Sequence, residues 1–254
     1  MTMTIEPADA DAAGPSTRPI AVVLDRLQRA LDAIPPDRSH WRHFGGTYLR
    51  TTRAVGETVD RAGFEDPDWV ERWDVAFADL YLKAVTDPAH ASRPWRLALA
   101  APADLPPLRH VLLGINAHVN DDLPRALLAV IDDDDVADPV LMARRRRDHE
   151  RIDGVLAARV GSEDGEFVDR TALDRVLGPL NRRAGRRFLA EARAKVWHNT
   201  QQLQLARLAG PDAYRRRLGE LEVLSAAKVA DLLAPGQVVL RLAVAGFGVT
   251  LPPP

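Results

Sequence analysis

The stretch Arg109–Ile131, R-H-V-L-L-G-I-N-A-H-V-N-D-D-L-P-R-A-L-L-A-V-I, constrains this chain more than any other. It is mostly apolar, yet His110, His118 and Asp122 lie eight and four residues apart, spacings that line side chains along one face of a helix. A helix that is apolar on most sides belongs inside a bundle. Polar groups in a row along it then need a metal, a reaction or a buried network to justify them. Pro124 adds a second constraint, because it has no N–H to donate to the carbonyl of Asn120. Either the helix kinks there, or one helix ends near Asn120 and Asp121 or Asp122 caps the next.

Around this stretch, apolar residues recur at helical spacing between proline and glycine breaks. The pattern predicts helices from Pro19 to the Pro35-Pro36 pair, over His40–Asp60, over Trp69–Val85 and briefly over Trp95–Ala101. Further helices are expected from Pro139 to about Val160, and over Ala172–Leu180, Ala184–Leu208 and Tyr214–Leu233. Trp69, Trp73, Phe77 and Tyr81 recur every four residues and read as a face packed in the core. The sequence therefore predicts an all-α, single-domain bundle of about eight helices around a central apolar helix, His110–Asn120, spanning residues 18–234. Residues 1–17, rich in Ala, Asp, Pro and Thr, are expected to be a disordered tail. The segment 235–254 is expected to be an extended tail, since one strand-like run cannot make a sheet.

With 254 residues, 46% of them hydrophobic, the chain can bury a sizeable core. It contains no cysteine, which excludes thiolate metal sites, iron–sulfur clusters and cysteine nucleophiles. Any metal would be a divalent ion held by His, Asp, Glu or Asn. A net charge of −2 offers no general field for nucleic acid or an anionic membrane. The N-terminus lacks a signal-peptide pattern and no apolar run reaches membrane-spanning length, so a cytoplasmic protein acting on a small molecule is expected.

The candidate site is built on His118 and Asp122, which at i and i+4 can converge on one ion or share a proton. Asp121, at i+3, could serve in place of Asp122. Asn116 and Asn120 lie beside them and supply polar contacts. Three readings of this group remain open. It is a hydrolase-like catalytic site, metal-assisted if a divalent ion is bound; it is a buried His–Asp–Asn network without chemistry; or, with the Asp132–Asp135 run, it is part of a magnesium–diphosphate site of the terpene-cyclase kind. The third is weakened by the absence of a closed Asp-Asp-x-x-Asp motif, and the acidic run reads as a loop and helix cap. The segment R-R-R-R-D-H-E-R-I-D, Arg144–Asp153, reads as a solvated, salt-bridged face, and His40 with His43 as capping or exposed residues at a helix start.

The segment Gly114–Leu127 resembles the signature of a mainly actinobacterial, helical family of unknown function, whose pattern is close to L-x-G-x-N-A-H-x-N-x-D-L. The matching residues are Leu112, Gly114, Asn116, Ala117, His118, Asn120, Asp122 and Leu123. The resemblance extends over roughly residues 40–208. It implies a site at His118 and Asp122, favours Asp122 over Asp121, and adds Asp148 at the family's matching acidic position, hence a metal set of His118, Asp122 and Asp148. Trp197 matches the family, whereas His149 and His198 fall where it carries other residues. The segment H-V-L-L-G-I-N-A-H is also faintly similar to zinc-dependent phospholipases C and related nucleases, with Gly114 standing where they carry a ligand Asp.

Overall fold

Proline, which breaks helices from within, starts most of them in this chain. A computed structural model describes residues 18–162, 181–236 and 246–253, without the side chains of 153–162 and 181–189. Its helices are α1 (Pro19–Asp32), α2 (Trp41–Asp60), α3 (Pro67–Thr86), α4 (Arg93–Leu99), α5 (Pro107–Ala117), α6 (Leu123–Ala129), α7 (Pro139–Ser162), α8 (Asn181–Ala209) and α9 (Pro211–Leu233). Five of the nine open on proline, where the missing N–H has no intrahelical partner to lose and the fixed φ already suits the helix. The proline-rich segment Pro102–Pro107 thus ends by launching α5.

Between α5 and α6 the chain neither stops nor caps. Residues His118–Asp122 form a π turn, closed by Leu123 N–H donating to the carbonyl of His118, and the side chain of Asp122 makes no cap bond. The wider turn follows from Pro124, whose ring leaves the Asn120 carbonyl without its usual donor; a local i→i+5 pattern lets the helix continue. Joined this way, α5, the π turn and α6 form one rod, and the described residues hold eight helical rods and no strand.

This rod is the centre of the bundle. α5 packs on α2, α4 and α9, while α6 packs on α3 and α8. On its far side the predicted stripe of α3 is buried, with Trp69 and Trp73 inside, and α1 presents Ile20, Val23, Leu27 and Leu31 inward at helical spacing. Asp66 caps α3 by accepting from Trp69 N–H at 3.1 Å. Arg109, at the start of the rod, caps α9 by donating to the carbonyls of Leu232 and Ala234. One apolar core joins most of these elements, and a smaller cluster of Leu128, Leu203, Leu221 and Leu251 ties the C-terminal tail to α6, α8 and α9.

The predicted helix Ala172–Leu180 and the expected disorder of residues 1–17 lie outside the described residues. Of the strand-like tail, residues 246–253 are neither helix nor strand, and side chains take the place of a neighbouring strand. Asn120 donates to the Phe247 carbonyl at 3.2 Å and accepts from Val249 N–H at 3.3 Å. Asn199 of α8 donates to the Val249 carbonyl at 3.0 Å and accepts from Leu251 N–H at 2.8 Å. His198 Nε2 lies 3.2 Å from the Leu251 carbonyl, and Phe247 and Leu251 bury their side chains. Two amides thus pair the backbone as a β-ladder would. Replacing Asn199 by Ala leaves the Val249 carbonyl and Leu251 N–H without these partners, an expected loss of about 1–3 kcal/mol. Urea unfolding and faster amide exchange at Leu251 check it; an unchanged Leu251 amide would mean that the tail is held by its side chains alone.

Candidate functional site

The π turn places a protonatable pair inside the core. Asp122 Oδ2 lies 2.9 Å from His118 Nδ1 and accepts the indole N–H of Trp95 at 2.6 Å. Both residues are only 2% exposed. The His118 ring lies flat on Phe77, with centroids 3.5 Å apart and planes within 5°, and Tyr48 stands edge-on at 4.4 Å. Phe44, Tyr81 and Trp95 complete an aromatic cage at 5.7–6.0 Å. Nε2 of His118 is buried in this cage without a hydrogen-bond partner.

Burial decides the charge of the pair. It holds the imidazole of His118 well below its ordinary value and pushes the Asp122 carboxyl up to about 7. The contact is therefore a hydrogen bond to a neutral imidazole, despite ion-pair geometry. Asp121 is likewise raised to about 6, by burial and by its neighbour Asp122, with Arg125 3.2 Å away acting against both.

Asp122 also borders a cleft of about 570 Å³ between α1, α3, α4 and α6. Trp95 and Arg125 stand beside Asp122, and Ser92, Lys83, Asp87 and His90 also line the cleft. Four of the ionic groups in the wall are already paired, Arg26 with Asp79 at 2.7 Å and His90 with Asp87 at 2.9 Å. The arrangement offers a cleft end where a carboxyl able to give or take a proton near neutrality meets a guanidinium.

The residues expected from sequence divide between this cleft and other duties. His118 and Asp122 are together. Asn116 and Asn120 are beside them but serve the backbone: Asn116 donates to the Leu112 carbonyl at 2.8 Å and accepts from Asn120 at 3.1 Å, while Asn120 holds the tail. Asp148 is elsewhere. Fully buried, it accepts from Glu65 N–H at 2.8 Å and Asp66 N–H at 2.7 Å, stapling the entry of α3 to α7, with Arg151 3.1 Å away. The metal set His118, Asp122 and Asp148 is thus not gathered, and among the described residues no three His, Asp or Glu side chains form a group that could hold an ion. At Gly114, where the phospholipase-like pattern would place a ligand Asp, the ring of Phe44 fills the space that a side chain would need.

The diphosphate reading loses its parts in the same way. Asp133 binds Arg207, Asp135 binds Arg145, and Asp138, just beyond the run, caps α7 through Val140 N–H at 2.9 Å. The arginine run faces acids rather than phosphates, Arg144 on Asp66 and Arg147 on Glu65. That is the salt-bridged face its composition suggested. His149 departs from that reading: it is fully buried between Trp73 and Trp197.

Trp95, Arg125 and Lys83 went unremarked in the sequence. Only Arg125, four residues after Asp121, carried a local signal, since i, i+4 acid–base spacing pairs on a helix. Trp95 reaches the site through a tertiary contact that no spacing reveals.

No helix among the described residues is long and apolar enough to cross a membrane. No curated protein and no solved structure matches the chain. A family model does match, over residues 20–235, from the first turn of α1 to just past α9, so it spans the π turn, the cage and the cleft. The chain belongs to that family, the family of unknown function DUF5995.

Proposed function

We propose that the protein binds a small polar molecule in the Asp122 cleft and exchanges a proton with it, in the manner of a metal-independent hydrolase. The observation that carries this reading is a carboxyl raised to about 7, bonded to a buried imidazole on a π turn and bordering a cleft. A carboxyl with that affinity can act as acid or base near neutrality, and π turns inside helices are rare and concentrate at functional sites. In this role Asp122 touches the ligand, His118 poises it, and Asn116 and Asn120 hold the turn. Arg125 and Lys83 favour a ligand with an anionic or strongly polar group.

A second reading, the buried network without chemistry, is favoured by the engagement of Asn120 with the tail and by the closed cage around His118. A thermal-shift screen of small carboxylates, phosphates and amides against the full chain separates the two. A ligand of the proposed kind raises the melting temperature of the wild type, and Asp122→Asn or Lys83→Met abolishes the rise. Chelation with EDTA leaves both melting and binding unchanged. If no compound stabilises the wild type, or if Asp122→Asn binds equally well, the network reading replaces this one; a metal-dependent shift would restore metal chemistry.

A further inference from the structure

Away from the cleft, His40, His43 and His110 meet where the first turn of α2 packs on α5. The rings of His40 and His110 are 4.9 Å apart, and those of His43 and His110 5.7 Å apart and nearly parallel. Three of the seven histidines in the chain converge here from two elements. The α2 pair neither caps its helix nor lies wholly in solvent, as the sequence suggested: His40 makes no cap bond and is buried. Both ring nitrogens of His40 and Nε2 of His110 are buried without partners.

Protons are unwelcome in this cluster. The charged groups bearing on His110 are His40 and His43 from α2 and Asp104 from the segment before α5, where the Ala103 backbone also contributes. His40 in turn bears on His43. Of the neighbouring arginines, Arg42 binds the Ile34 carbonyl, Arg109 the end of α9, and Arg38 lies over Trp41. The start of α2 adds the partial positive charge of a helix N-terminus. Against this stands one exposed carboxylate, Asp104.

The cluster also adjoins the closure of the cage. Phe44 follows His43 in sequence, and its ring occupies the notch at Gly114, one turn beyond His110. The same ring packs edge-on against Trp95 and His118. Anything that parts α2 from α5 at the histidines draws Phe44 off His118.

We propose that His43 and His110, packed together with His40, form an acid-operated latch: protonation of His43 and His110 opens the seam between α2 and α5, withdraws Phe44 from Gly114 and uncovers His118. Burial, then repulsion from His40 and His43, lowers His110 to about 4, and His43 is lowered too, by burial and by His40. Because the closed form holds these protons more weakly than the open one, its stabilisation is complete above about pH 6.5 and is lost as pH falls toward 4. Between pH 7.5 and pH 5, His110 alone shifts the equilibrium toward the open form roughly 30-fold.

The test is hydrogen exchange on the full chain at pH 7.5 and pH 5, corrected for intrinsic rates, comparing the wild type with His40→Gln/His43→Gln/His110→Gln. In the wild type, peptides covering residues 40–48 and 107–117 lose at least tenfold more protection at pH 5 than the rest of the bundle. The triple variant shows no such selective loss. Uniform loss, no loss, or the same selective loss in the variant overturns the latch. If the variant does not fold, a histidine NMR titration of the wild type decides: a His110 midpoint near 4 upholds the proposal, and one at 6.5 or above overturns it.

Discussion

Asp122→Ala is expected to destabilise the protein by about 2–6 kcal/mol, because two buried donors lose the one acceptor they share. The change leaves the indole N–H of Trp95 and Nδ1 of His118 without the oxygen they share, inside a core where water does not replace it. For a chain of this length such a loss corresponds to a fall in melting temperature on the order of 10 °C. Asp122→Asn separates hydrogen bonding from charge, since its amide oxygen can accept from both neighbours. The wild-type carboxyl is raised from the ordinary value to about 7, so its contribution is fully present below about pH 4 and is lost as pH rises toward 7. The stability gap between Asp122→Asn and the wild type therefore moves in favour of Asn from pH 4 to pH 7, and levels off above. Urea unfolding at a series of pH values checks both the size and the sign. A gap moving in favour of Asp would mean that the carboxylate is stabilised in its charged form, contrary to its burial.

Gly114→Ala carries the second large effect. On an exposed helix this change gains about 1 kcal/mol from propensity. Here the added methyl would stand 2.7 Å from Phe44 Cβ and closer still to its ring. Phe44 is braced by Trp95, Tyr81 and His118, so it cannot step aside without opening the cage. The net expectation is a loss of about 1–3 kcal/mol, larger for Gly114→Val. Phe44→Leu in the Gly114→Ala background should cost less than the sum of the two single changes, because the smaller side chain makes room for the methyl. Additive costs in that double-mutant cycle would show that Phe44 and Gly114 do not meet.

How far each feature could be read from the chain depended on how local its cause was. The helix periods, the Trp69–Tyr81 stripe and the central rod follow from spacing alone, and spacing predicted them. Pro124 announced trouble at Asn120, but a kink, a cap and a π turn all answer the same missing N–H. The neighbours of Asn120 favour continuation, because Leu123, Ala126 and Leu127 still have a core to fill. Spacing also paired His118 with Asp122 correctly as neighbours. It could not orient Asp148, whose place on α7 says nothing of the Glu65–Asp66 backbone it meets 82–83 residues away.

Tertiary convergence was illegible for the same reason. His40 and His43 sit about seventy residues before His110, and Trp95 sits 27 residues before Asp122, with no periodic relation between them. The tail shows a different kind of limit. Its strand-like run marks a non-helical segment, and residues 246–253 are neither helix nor strand. What it does not encode is the partner, which turns out to be a pair of asparagine amides on two helices rather than a strand.

The most direct test of the site is the titration of Asp122 itself. With ¹³C-labelled aspartate in the full chain, its carboxyl resonance assigned through Asp122→Asn, the expected midpoint is about 7, with His118 protonating only well below the ordinary value for a histidine. A midpoint near 4, with His118 protonated at neutral pH, would show a charged ion pair in place of the buried, neutral acid–base pair, and would remove the chemistry proposed for the cleft.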